Sequence, residues 1–449
     1  MSAGRTAPVR IGCGAGFSGD RIEPAVELAE HGALDYLVFE CLAERTVALA
    51  QRAKRSDPGA GYDPGLDRRM AAVLPACAAR GVKIVTNMGA ANPEAAAARV
   101  AALARELGLG RLRVAWVGGD DVREQVIAAD PPLLELPGRV SSLGRDRVVS
   151  ANAYLGAGPI VEALALGADV VITGRAADPS LFLAPLMHEF GWRPDDWPRL
   201  GRGTLVGHLL ECAGQLTGGY FAEPGRKDVA DLARLGFPIA EVDAAGDAIF
   251  GKVAGSGGTL SVRTCTEQLL YEIGDPAAYP TPDVLADFSG VEFRELRPDR
   301  IAVRGGGGRA APVKLKVSVG YLAGFAGEGQ ISYAGESAVA RGRLAIEIVR
   351  ERLRITGVEL EELRAELIGV DAVYPGARPA GAPAEVRVRV AGRAASLTAV
   401  ERIGAEVESL YTNGPSGGGG VHRSAGAVIA IASTLISREA AAGVVRMLS

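Results

Sequence analysis

Short, largely apolar runs recur along the first half of the chain at residues 9–13, 36–39, 83–86, 112–117, 147–151 and 169–173. Continuous runs of this length fit strands buried on both faces. Helical spacing fills the gaps. Asp20 stands where an N-cap would, with Glu23 three residues on and Gly32 as a stop. Helical patterns follow to about Arg80, Asn92 and Pro93 open a helix over 94–107, and Gly158-Pro159 open another that stops at Gly167. Strands alternating with amphipathic helices predict an α/β domain with a mainly parallel sheet flanked by helices. A Rossmann-like open sheet is expected, with a barrel as the alternative, because βα units alone do not fix closure.

After about Tyr220 the pattern changes. Residues 242–253 read as a hairpin around Ala245-Gly246, and 301–303, 313–319 and 386–390 alternate like half-buried strands. Helices are expected at 335–353, 359–368 and 424–437, giving an α+β C-terminal domain. Gly218-Gly219 and Pro224-Gly225 place the boundary between Thr217 and Pro238, hence domains 1–220 and 221–449. The apolar stretch 425–436 is shorter than the ~20 residues of a membrane span and reads as a buried helix.

Of 449 residues, 48% are hydrophobic and 23% charged, the balance of a globular chain. Lys+Arg 49 against Asp+Glu 53 leaves net charge −4, without the basic footprint that nucleic-acid binding needs. Five scattered cysteines without a CxxC pair, and a start lacking an apolar signal segment, predict reduced thiols in a cytoplasmic protein. Ala- and Arg-rich segments suggest a bacterial source with a GC-rich genome. A homo-oligomer without membrane contact is expected.

Ligands of parallel α/β sheets bind outside the carboxyl ends of the strands. Those ends carry Gly14 and Gly16, then Glu40, then Asn87, then Asp120, then Asn152, then Arg175 and Asp178. This collection suits a small polar or anionic ligand. Asp20 and Asn92 read as helix caps, a role also open to Asp178; Glu40, Asn87 and Arg175 have no evident cap role. Glu40 with Asp120 or Asp178 would supply a general acid/base pair. Gly14, Gly16, Asn87, Asn152 and Arg175 would contact substrate.

Gly14-x-Gly16-x-x-Gly19 also matches the dinucleotide motif between strand and helix, with Glu40 where an acid would hold a ribose. A tight turn with an Asp cap explains the same residues, and no cofactor is expected. His208, Glu211 and Cys212 share a face of a predicted helix, as in a metal or thiolate–imidazole site or an ordinary buried turn. No complete ligand set surrounds them, so no metal is expected. The glycine-rich loop holding Asn413, Gly417 and Gly418 precedes His422, Arg423 and a predicted helix. Its backbone donors and Arg423 are expected at the interdomain cleft, on an anionic group of the ligand. A mobile connector is the alternative.

The segments RIGCGAGFSGD (10–20), VITGRAADPSLFLAPLMHEFGW (171–192), GHLLECAGQLTGGYFAEPGRKDVADLARLGFPIAEV (207–242), EQLLYEIGDPAAYPTPDV (267–284) and TNGPSGGGG (412–420) resemble the acyclic terpene utilisation family of AtuA type. The resemblance runs along nearly the whole chain. It implies bacterial breakdown of citronellol, geraniol and related branched acids, with a CoA thioester as substrate, and gives no residue a catalytic role. Some members carry an extra C-terminal ferredoxin-like domain, for which no room is expected here. An enzyme of branched-acid or acyl-CoA catabolism with hydratase, lyase or isomerase chemistry is the expectation. An NAD(P)-linked oxidoreductase, or a non-catalytic partner binding acyl-CoA or a pathway enzyme, are the alternatives.

Overall fold

The structure, a computed structural model, describes residues 5–374, 381 and 383–448. The chain divides into two compact units, 1–320 with 431–449, and 321–430. The first unit opens with β1 (Val9–Ala15), α1 (Glu23–His31), β2 (Tyr36–Phe39), α2 (Glu44–Ser56), α3 (Leu66–Arg80), β3 (Lys83–Thr86), α4 (Pro93–Glu106) and β4 (Val114–Gly118). It continues through α5 (Arg123–Ala129), β5 (Val148–Ala153), α6 (Gly158–Ala165), β6 (Val170–Thr173), α7 (Ser180–Phe190) and α8 (Trp197–Leu210). Then follow β7 (Pro238–Val242), β8 (Ala248–Lys252), α9 (Val262–Leu270), β9 (Tyr279–Pro280), β10 (Leu285–Asp287), β11 (Glu292–Arg297), β12 (Arg300–Arg304) and β13 (Gly307–Arg309). β14 (Lys314–Ala334) carries the chain into the second unit, which holds α10 (Ala338–Ile355), β15 (Glu362–Ile368), β16 (Glu385–Ala394) and α11 (Leu397–Asn413). β17 (Gly419–Ser437) leads back, and β18 (Val444–Met447) ends the element order.

The fold is α/β. β1, β2, β3, β6 and β4 lie side by side and parallel, in that order. All four residues of β2 and of β6 are buried, as a sheet covered on both faces requires. Beyond β1 the sheet turns antiparallel through β7, β8, β12 and β11, and β18 pairs antiparallel with β4 at the other end. These ten strands form an open mixed sheet, and no barrel closes among the described residues. The β7–β8 hairpin turns where expected: Asp243 Oδ1 accepts from the Ala245 and Asp247 amides, and Gly246 takes φ +91°.

Three expectations are corrected. The run at 147–151 forms β5, but β5 lies outside the large sheet and pairs with β14. Residues 359–368 form no helix; β15 pairs with β16 along its length, placing Leu363 and Leu367 on the side opposite to Arg364 and Glu366. Residues 424–437 belong to strand β17. Its apolar run fits a helix and a buried strand equally by spacing, and β-branched Val428, Ile429, Ile431 and Ile436 favour the strand.

The second unit follows the connection β14–α10–β15–β16–α11–β17 with strand order β15-β16-β14-β17. Ile331, Tyr333, Val386, Val388 and Val390 of the sheet pack with Ala345, Val349, Leu353, Ile403, Val407 and Leu410 of the helices. α11 was not expected, although its apolar positions recur at helical spacing and Ser396 Oγ accepts from the Ala399 amide at its start. This is the strand order of a ferredoxin-like βαββαβ unit, lying within the chain.

Candidate functional site

The carboxyl ends of β1, β2 and β6 open into a cleft of about 730 Å³ whose lining residues all belong to the first unit. Gly16, Phe17, Asp20 and Arg21 come from the turn after β1. Glu40, Leu42 and Glu44 follow β2, and Arg175 and Asp178 follow β6. The remaining wall comes from the segment after α8, with Glu211, Cys212, Gln215 and Tyr220, and from Tyr271-Glu272 after α9.

The glycine motif serves this geometry. A Cβ on Gly16 would stand 2.6 Å from the Cys212 backbone, and one on Gly14 would strike the Phe39 ring. The absence of side chains therefore lets the first turn lie directly against the end of α8. Asp20 is not a helix cap: α1 begins at Glu23, and Asp20 Oδ2 accepts from the Gly16 amide (2.9 Å) and Oδ1 from the Arg21 amide. The Gly16 donor that a pyrophosphate would use is thus taken by a carboxylate. Gly16→Ala should cost about 1–3 kcal/mol by overpacking against backbone that cannot rotate away. Urea denaturation checks this; unchanged stability would mean that the turn yields without loss.

Glu40 is buried at the cleft floor. Its Oε1 accepts from the Leu42 amide and from Asn87 Nδ2, both at 2.9 Å. Its Oε2 accepts from no described residue. Burial pushes its carboxyl above the ordinary range, against the opposing pull of Arg175, Asn87 and the Leu42 amide. Asn87 is fully buried behind it and does not line the cleft; its Oδ1 accepts from the Cys41 amide at 2.7 Å. Both ends of the Asn87 amide therefore hold the turn after β2.

Arg175 is 1% exposed and spends every nitrogen of its guanidinium. Nε donates to the Ala176 carbonyl (2.8 Å), Nη1 to the Leu42 carbonyl and Nη2 to Asp178. Tyr154 lies under it, with the ring centre 4.5 Å away. Asp120 and Asn152 are buried and do not line the cleft. Asp120 Oδ2 accepts from Asn152 Nδ2 (2.7 Å) and from the Arg175 amide (3.0 Å), and burial pushes the acid up to about 6. Asn92 precedes α4 without a side-chain capping bond, and its Nδ2 donates to the carbonyls of Pro58 and Ala60.

Asn413, Gly417, Gly418 and Arg423 lie in the second unit and are not among the residues lining this cleft. The expected helix N-terminus after the loop is absent, since the chain enters β17 there. Arg423 pairs with Glu408 at 3.1 Å, and Arg341 Nη1 binds the Ser416 carbonyl.

Six carboxyl groups and two guanidiniums line the cleft, so its charge is dominated by acids. Burial raises Asp20 and Glu211 as it does Glu40. It would raise Glu44 as well, but the Tyr154 hydroxyl at 2.5 Å and Lys316 hold that carboxyl below the usual range. Cys212 is no thiolate: burial and the nearby carboxylates push it up to about 12. Tyr220 and Glu272 both take φ +58°, backbone that side chains rarely adopt, and both line the cleft. Tyr220 is 88% exposed, with Tyr271 edge-on at 6.5 Å.

Glu211, Gln215, Tyr220, Tyr271 and Glu272 all fall within the family-like segments 207–242 and 267–284, and only Glu211 has a further signal, its spacing to His208. Their place at the cleft was not legible, because loops far along the chain bring them in. No group of His, Cys, Asp and Glu suited to a metal occurs among the described residues. No helix is long and apolar enough to cross a membrane among them.

No curated protein and no solved structure matches the chain. The family model described as acyclic terpene utilisation family protein AtuA matches residues 9–447. That match spans both units and every element of the cleft, and the chain belongs to the acyclic terpene utilisation family, AtuA.

Proposed function

We propose that the protein is an enzyme of branched-acid catabolism that performs acid–base chemistry at a carbon–carbon double bond conjugated to an acyl carbonyl. It adds or removes water there, or shifts the double bond. The observation that carries this reading is Glu40. It is a buried carboxyl at the strand rim, held through one oxygen by two donors, with the other oxygen left for a ligand. Burial raises this carboxyl above the ordinary range, the direction that favours the protonated form a general acid needs.

Family membership supports a branched, isoprenoid-type acyl chain as substrate. Phe17, Leu42, Leu235 and Phe237 supply apolar surface for it. The excess of carboxyl groups disfavours phosphates inside, so the acyl end of a CoA thioester enters and the nucleotide stays outside.

The test offers the protein 3-methylbut-2-enoyl-CoA and the matching N-acetylcysteamine thioester in D₂O, and follows both by mass spectrometry. Uptake of deuterium or gain of a water is expected, with the CoA-free thioester also accepted. Neither thioester changing mass would overturn the reading.

A further inference from the structure

His208 and Glu211 take no part in the reading above, yet they form a built pair at the cleft wall. The His208 imidazole is enclosed in the last turn of α8, stacked on Phe288 with ring centres 5.7 Å apart and tilted against Tyr279 at 5.6 Å. Its Nε2 lies 3.2 Å from the Leu269 carbonyl oxygen, and its Nδ1 lies 2.9 Å from Glu211 Oε1.

A carbonyl can only accept, so Nε2 carries a hydrogen. Two states then satisfy the Nδ1 contact. Either Nδ1 is protonated and donates to a carboxylate, or Oε1 is protonated and donates to neutral Nδ1. One proton lies between the two groups in both states, and its position decides whether Glu211 is acid or carboxylate. The second oxygen, Oε2, has no hydrogen-bond partner among the described residues, although Glu211 lines the cleft.

A buried acceptor left without a donor is costly, and this one belongs to a side chain that lines the cleft. Other charges act on the pair. Glu272 raises Glu211, Arg175 lowers it, and Glu211 in turn adds to the rise of Glu40. Burial works against a charged imidazole, but Glu211 and the Leu269 carbonyl outweigh it and hold His208 above the usual range. Tyr279 is pushed up by burial and stays neutral, leaving Glu211 as the ionisable partner that hydrogen-bonds the ring.

We propose that Glu211 is the second proton carrier of the cleft, acting through Oε2, with His208 as the positioning residue that stores or returns the proton at Oε1. The proposal rests on the acid–base reading. In the addition of water, the Glu211 carboxylate takes a proton from water as the water oxygen bonds to the β-carbon. The electron pair of the double bond takes the Glu40 proton at the α-carbon. Glu211 ends protonated and Glu40 ionised, and exchange with solvent restores both.

The test compares wild type, E211Q and H208Q, each first checked for an unchanged melting temperature. With 3-methylbut-2-enoyl-N-acetylcysteamine in D₂O, E211Q should lose 10²-fold or more in kcat with KM little changed, within the ~10²–10⁴-fold range of a lost proton carrier. H208Q should lose less and should shift one limb of the pH profile. The chain has four histidines, so ¹⁵N-histidine NMR of the full-length protein follows the ring directly. E211Q should lower the titration of one histidine and leave the other three in place. Wild-type uptake of solvent deuterium with E211Q equally active would overturn the assignment of Glu211 alone. A wild type that exchanges nothing would overturn the acid–base reading and this assignment with it. An H208Q variant with the turnover and pH profile of wild type would remove His208 from the mechanism. Should E211Q not fold, E211D is read in its place, and there a kcat equal to wild type overturns the assignment.

Discussion

Glu40→Gln should reduce turnover of a branched enoyl thioester by about 10²–10⁴-fold, the usual worth of a positioned proton carrier. Its melting temperature should be unchanged at low pH. The amide oxygen of Gln can still accept from the Leu42 amide and Asn87 Nδ2, so the turn after β2 keeps its hydrogen bonds. The pH dependence gives a second check. The Glu40 carboxyl is raised in the folded protein by burial, so the folded state binds its proton more tightly than the unfolded chain does. Its stabilising share is therefore complete below the ordinary carboxylate range and is lost as pH rises through the folded value. Glu40→Gln removes that loss, and the variant should become the more stable of the two on the alkaline side. Melting curves across pH measure the difference. A variant that melts lower than wild type throughout, with turnover intact, would make Glu40 a structural residue.

Arg175→Met should be among the most destabilising single changes in the first unit, by about 3 kcal/mol or more. Methionine fills much of the volume but donates nothing. The Leu42 and Ala176 carbonyls then lose their donor in a region from which water is largely excluded. Asp178, about a third exposed, loses its partner at smaller cost because water still reaches it. The Glu40 carboxyl also loses the cation that lowers it and would be driven further up. Urea unfolding with an unchanged slope would measure the loss, and a value below about 1 kcal/mol would mean that other donors take over these carbonyls.

Most strand positions of the parallel sheet in the first unit could be read from the sequence, and the reason is physical. β2 and β6 are wholly buried, so their sequences are continuously apolar and flanked by helix signals. Glu40 stands out for the same reason, as an acid at the end of such a run. β5 shows the limit: its residues have the same character, but nothing local says which strand it pairs with. β17 shows another, because an apolar stretch of that length fits either a helix or a strand until its neighbours are known. The carboxyl partner of Glu40 within the cleft was hidden by distance along the chain. Glu211 follows the last turn of α8, beside Cys212, whose backbone lies close against Gly16. Gly218 and Gly225, read as a domain boundary, adopt φ of +108° and +79° in turns of the first unit.

The pairing of β18 with β4 bears on how the protein is made. Val444 lies against Gly118, so roughly three hundred residues must leave the ribosome before the β4 edge of the parallel sheet is covered. At about 5–20 residues per second that edge stays open for tens of seconds, displaying unpaired N–H and C=O groups to any neighbouring strand. The whole second unit is synthesised during this interval. Nascent chains on one messenger are therefore exposed to edge-to-edge association for most of their synthesis.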